Sequence, residues 1–169
     1  MAVDNLYFAY AEFESAGGST KLVMKCQKIT NRTEDQFRDD FDDKDVDPRD
    51  PPNEYSFMAP ADSQWDCVVI ENDSALIWFQ SFIDNLHFQR KSGRFLYFDD
   101  PAHEDGQLIA VKPGPSGDGT KSRILMEFQN ENGEMGGYPY YINMVITDEQ
   151  AAGGRKFTPI VVDPKIKNN

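Results

Sequence analysis

Short runs of alternating apolar and polar residues, broken by Gly, Asn, Asp or Pro, fill most of the second half of this chain. Residues 87–91 and 94–98 flank Ser92-Gly93. Residues 123–129 and 140–147 flank a stretch holding Asn132-Gly133 and Gly136-Gly137, and 157–162 runs into Asp163-Pro164. Period-two alternation closed by such turns predicts β-hairpins. Residues 3–13 are apolar on both parities, with Tyr7, Ala9, Ala11 and Phe13 on one and Phe8 and Tyr10 on the other. A strand covered on both faces reads this way. Beyond Gly17-Gly18, Leu22, Met24 and Cys26 alternate with Lys21, Lys25 and Gln27, the pattern of a half-buried hairpin partner. Further strands are expected at 64–71 and 107–112. Over 75–86 the helical spacing of Leu76, Phe79, Ile83 and Leu86 competes with strand-forming Ile77, Trp78, Phe79 and Phe82. Propensity and the hairpin-sized turn before it decide for a strand. The expectation is one all-β domain over residues 1–169. It should be an antiparallel, immunoglobulin-like β-sandwich of eight or nine strands with at most one or two short helices.

Residues 34–54 break the rhythm. Nine acids against three bases between Glu34 and Asp50 give this stretch −6, half of the chain's formal charge of −12. Phe37 and Phe41 lie four apart, on one face of a short helix, and the remainder reads as an acidic exposed loop. A charge of −12 makes duplex nucleic acid and anionic membrane surfaces poor partners, since phosphate binding rests on clustered Lys and Arg. It does suit an acidic decoy of a nucleic-acid-binding protein. No apolar run approaches a membrane span of about 20 residues. Residues 1–14 show neither a basic leader nor an apolar h-region, so a cytoplasmic location is expected. The Asn31 and Asn72 sequons are then without a role. Cys26 and Cys67 sit in strand-like runs without CxxC spacing and read as buried free thiols.

The candidate chemistry is sparse. Asp43, Asp45 and Asp47, with Glu54 at position twelve, match the oxygen spacing of a calcium loop. Pro48 occupies the sixth position, where that loop needs a positive φ that proline cannot adopt. A looser calcium site is the alternative reading, and no cofactor is otherwise expected. Gly114 to Ser122 imitates a phosphate loop, but Thr120 separates Gly119 from Lys121 and a strand pattern follows, so it reads as a hairpin loop. His87 lies in a strand. His103 lies in an acidic turn with Asp100 and Glu104, a thin basis for a carboxylate-based enzyme. Trp65, Trp78, Tyr138, Tyr140 and Tyr141 could form a stacking platform for a sugar or another small ligand. Tyr138, Tyr140 and Tyr141 are the best exposed candidates; core packing is the competing role for all five.

The ending Phe157-Thr158-Pro159-Ile160-Val161-Val162-Asp163-Pro164-Lys165-Ile166 resembles the closing signature of small bacterial β-proteins, the PixA/AidA inclusion-body type and the similar DP-EP family. The resemblance implies an immunoglobulin-like sandwich without catalytic residues, and it covers only this ending together with size and strand-rich texture. The resulting expectation is a non-enzymatic bacterial interaction or structural protein that forms a homo-oligomer. The alternative is a carbohydrate or small-ligand module, with or without calcium. Pro159, which cannot donate to a central ladder, marks 157–162 as an edge strand.

Overall fold

A computed structural model describes residues 5–50, 53–58, 67–70, 74–102, 108–115, 122–129, 136–150, 152–154, 156–162 and 165–168. The elements, in order, are β1 (Asn5–Ala16), β2 (Ser19–Ile29), α1 (Glu34–Asp42), β3 (Phe57–Met58), β4 (Cys67–Ile70), β5 (Ser74–Ser81) and β6 (Leu86–Phe88). They continue with β7 (Leu96–Phe98), β8 (Leu108–Pro113), β9 (Arg123–Gln129), β10 (Gly136–Asp148), β11 (Lys156–Val162) and β12 (Lys165–Asn168). The fold is all-β with a single α-helix among the described residues. The strands outnumber the eight or nine expected because several are only two to four residues long.

The first sheet has the order β3-β2-β1-β5-β9-β8. Its β1–β2 hairpin turns at Gly17 (φ 58) and Gly18 (φ 80), two positive-φ positions that suit glycine. The central pair is not antiparallel: β5 runs parallel to β1, Asn5 opposite Ala75 through Ala11 opposite Ser81. A parallel pair requires a crossover, and the segment between β2 and β5, which carries α1, provides it.

Both faces of this sheet are covered, which is why β1 and β5 read as continuous apolar runs. Tyr7, Ala9, Ala11, Ala75, Ile77 and Phe79 join a core with Leu86, Leu96, Phe98, Tyr140, Ile142 and Met144 of the second sheet. Leu6, Phe8, Leu76, Trp78 and Leu125 face the other way, onto Phe37 and Phe41 of α1. The two phenylalanines and Trp78 are fully buried, and Phe41 meets the indole edge-on at 5.3 Å. Thr33 starts the helix with a reciprocal capping box to Gln36. Residues 34–54 are thus not an exposed loop throughout: residues 34–42 are a helix docked on the sheet through Phe37 and Phe41, with its polar side chains turned toward water.

The second sheet is built on β10. Residues 136–139 pair with β12 and 142–148 with β11. Gly136 stands opposite Asn168 and Ile142 opposite Val162, so β11 and β12 keep one register along the same side of β10. β4 lies parallel to β12. On the other side of β10, β7 and β6 pair in succession. Two expected hairpins are therefore corrected. Residues 87–91 and 94–98 both pair with β10 and only the bridge Lys91–Arg94 joins them, closed by Ser92 (φ 54) and Gly93 (φ 79). Likewise β9 pairs with β5 and β8, not with β10. In each case burial against a third strand outweighs local turn closure.

Cys26 is a buried free thiol, as expected; the side chain of Cys67 and all of Trp65 lie outside the described residues. Burial pushes the Cys26 thiol from 9.0 up to about 12, and burial together with Asp40 moves the Tyr55 phenol upward too.

Phe41→Ala should cost about 3–5 kcal/mol in urea unfolding, the range for emptying a buried aromatic site. The raised thiol has a pH consequence. Between about 9 and 12 the unfolded chain has lost the Cys26 proton while the folded chain keeps it, so stability falls as pH rises through that window. The urea midpoint should drop from pH 8 to pH 10, with a smaller drop in Cys26→Ala.

Candidate functional site

The acids of α1 crowd its C-terminal end, where the helix dipole already disfavours negative charge and no basic residue occupies the last turn. The compensating cations come from earlier in the helix itself and from distant strands. Lys112 of β8 reaches Asp42 at 2.7 Å, and Arg38 bridges Glu34 at 2.9 Å and Glu127 of β9 at 3.1 Å. Arg123, at the start of β9, is 7% exposed. Its guanidinium lies 4.8 Å from the Trp78 ring and 5.3 Å from the Phe41 ring. It donates to the main-chain carbonyls of Val46 at 2.8 Å and Asp43 at 2.5 Å. Burial pulls its pKa below the ordinary arginine value, against the opposing pull of Asp43, Asp47 and Asp42; a guanidinium stays charged regardless. Arg123 is the residue that sequence reasoning missed. Its one signal was a charge leading an otherwise apolar run, Arg123-Ile124-Leu125-Met126.

This arrangement answers the calcium-loop reading residue by residue. The Asp43 carboxylate accepts from its own loop at the Asp45 N–H, 3.0 Å, and the Asp47 carboxylate from the Arg49 N–H, 2.9 Å. Asp45 is exposed beside Lys44 at 3.8 Å. The inward-facing oxygens are carbonyls, and they hold a guanidinium. No group of three or more His, Cys, Asp or Glu suited to a metal occurs among the described residues.

Tyr140 and Tyr141 are not brought together. Tyr140 is 2% exposed and packs with Phe98 and Phe128, so it belongs to the core and cannot meet a ligand. Tyr141, next along β10, points to the opposite face, where it stacks on Tyr97 of β7 at 5.1 Å and donates to the Asp99 carboxylate at 3.3 Å. The backbone of Tyr138 pairs with Ile166; its side chain lies outside the described residues. Tyr97 was overlooked because it sits between two core residues, Leu96 and Phe98. Trp78, one of the two tryptophans in the platform reading, is fully buried under α1.

Tyr97 and Tyr141 belong to a larger surface. The outer face of the second sheet has no helix on it among the described residues. It carries Tyr97 (36% exposed), Val161 (49%) and Phe157 (57%), with half-buried Val145 opposite Pro159 on β11. Asn143, on the same strand, is buried by the 89–95 excursion, whose Arg94 carbonyl accepts from its side chain and Phe95 carbonyl from its N–H. β11 is the outermost strand beside β10 among the described residues. α1 lies against the first sheet, on the far side of the shared core.

His87 stands in β6, half-buried and opposite Val145, and His103 lies outside the described residues. β8 and β9 do form the hairpin expected around the Gly/Pro loop. No helix among the described residues is long and apolar enough to cross a membrane. No protein-family model matches the chain, and no curated protein is significantly similar to it.

Gly114 packs directly on Arg123: a Cβ there would lie 2.5 Å from the arginine Cγ and 3.0 Å from Nε. Gly114→Ala should therefore displace the guanidinium from the loop carbonyls and cost about 1–3 kcal/mol, the range for overpacking. In an Arg123→Ala background the same change should cost little. A urea double-mutant cycle measures that coupling.

Proposed function

We propose that this protein is an immunoglobulin-like β-sandwich of bacterial type that acts without catalysis, by self-association through the outer face of its second sheet. The observation that carries the reading is the asymmetry of cover. α1 buries the outer face of the first sheet, while the corresponding face of the second sheet presents Tyr97, Val161 and Phe157 to solvent. A sheet face with no helix over it among the described residues, bordered by a strand with no outer neighbour among them, is a surface that a second copy can cover. Charge supports the same geometry. Two chains at −12 repel, but the stretch carrying half of that charge lies on the opposite side, so copies meeting through the second sheet keep these stretches apart. A two-fold axis is the commonest solution for such a contact. The resemblance of residues 157–166 to the PixA/AidA and DP-EP ending falls on β11 and β12, at this surface.

A second reading rests on the Tyr97–Tyr141 stack with Asp99 beside it, an outward aromatic pair suited to a sugar ring. Asp43, Asp45 and Asp47 lie on the other sheet's side, so calcium in that loop would not assist a ligand on these tyrosines.

Light scattering should give a multiple of the 19.2 kDa chain mass, with association strengthened by salt as repulsion is screened. Phe157→Lys combined with Val161→Lys should yield monomer with an unchanged far-UV circular dichroism spectrum and a melting temperature that no longer rises with protein concentration. A wild-type monomer across physiological salt overturns the proposal and puts the ligand module first.

A further inference from the structure

After β5 the chain turns back over the end of β1, with the Phe82 N–H donating to the Ala11 carbonyl at 3.0 Å and Ser81 bonding both polar groups of Ile83 at 3.2 Å. Asn85 fastens this turn to β10 through the Thr147 carbonyl at 3.0 Å. Between the turn, β1 and the end of the acidic loop lies an open groove of about 540 Å³, walled by Glu12, Phe13, Arg49, Phe82, Asp84 and Asn85.

Around Arg49 the groove displays its own chemistry. The Arg49 guanidinium lies 4.3 Å from the Phe82 ring and 4.8 Å from the Tyr10 ring, and it donates to Glu12 at 3.2 Å. Glu12 also meets Lys25 at 3.1 Å. Phe13 and Asp84 line the same groove and bring the same ingredients, a ring and a carboxylate. Phe13 is 54% exposed, and Asp84 is exposed with no basic group at ion-pair distance among the described residues.

We propose that Phe13 and Asp84 form a docking site for an arginine side chain in an extended basic segment of a partner protein. A guanidinium fits because it is planar and weakly hydrated, so it can lie on the Phe13 ring while donating to the Asp84 carboxylate. Arg49 shows the same pairing of ring and carboxylate within the chain. The charge of −12 draws basic segments toward the surface, and the groove selects among them by shape.

The test is an amide-resolved NMR titration of the full chain with a blocked Gly-Ser-Arg-Ser-Gly peptide and its citrulline counterpart, which has the shape without the charge. The arginine peptide should shift Phe13, Asp84 and Asn85 saturably, and the citrulline peptide should not. Asp84→Asn should weaken binding about three- to fivefold at low salt, the scale of one exposed ion pair. Asp39→Asn, which removes the same charge from the exposed side of α1, should leave it unchanged. Equal shifts from both peptides, no shift at all, or equal damage from Asp39→Asn and Asp84→Asn would each overturn the proposal.

Discussion

Trp78 is the point on which the first sheet and its helix both depend. It is fully buried in the central strand of that sheet, with Phe8 at 5.9 Å and Phe37 at 5.7 Å around it and Phe41 at its edge. Its indole N–H donates to the Gln80 side-chain oxygen at 3.0 Å. A parallel β1–β5 pair needs both faces covered, and Trp78 is the main apolar surface that α1 covers. Without the helix this aromatic face would stand in water, and the strands that carry it would have no reason to be apolar on both parities.

Docking an acidic helix there sets an electrostatic problem that the fold answers with arginines. The aromatic face supplies no countercharge, so cations must come from elsewhere in the chain. Arg123 does this from beneath the loop, stacked on the rings and bound to main-chain oxygen. Arg32, which stacks on Tyr55 at 4.2 Å and faces Asp40 at 3.6 Å, does it from the side. Arginine suits these positions because its planar group tolerates an apolar face while its edge donates hydrogen bonds. The Asp43–Asp47 spacing, which imitates a metal loop, is here organised around an internal cation.

Separation of the two outer faces follows from this arrangement. Negative charge is concentrated where the helix and its loop cover the first sheet, while the outer face of the second sheet, with no helix over it among the described residues, exposes Tyr97, Val161 and Phe157. The groove at the end of β1 lies between these regions and shares Arg49 with the acidic loop.

Local pattern in the chain was sufficient for the strands and for much of the hairpin chemistry: the Gly17-Gly18 turn, the double-faced β1, the β8–β9 pair, and strand over helix for β5. Period-two alternation is a short-range consequence of backbone geometry and survives without knowledge of partners. The pairing of Phe37 with Phe41 on one helical face was legible for the same reason, through a different period. Partnership was decided by tertiary structure. β6 and β7 joined β10 instead of each other, β9 and β10 went to different sheets, and β1 took a parallel neighbour 70 residues away. Tyr140 and Tyr141 are adjacent in sequence, yet one became core and the other surface, because a strand sends successive side chains to opposite faces and only the packed fold determines which face is dry. Arg123 could not be recognised as the cation of the acidic loop, since the carbonyls it binds lie about 80 residues away and come within reach only when the helix docks on Trp78.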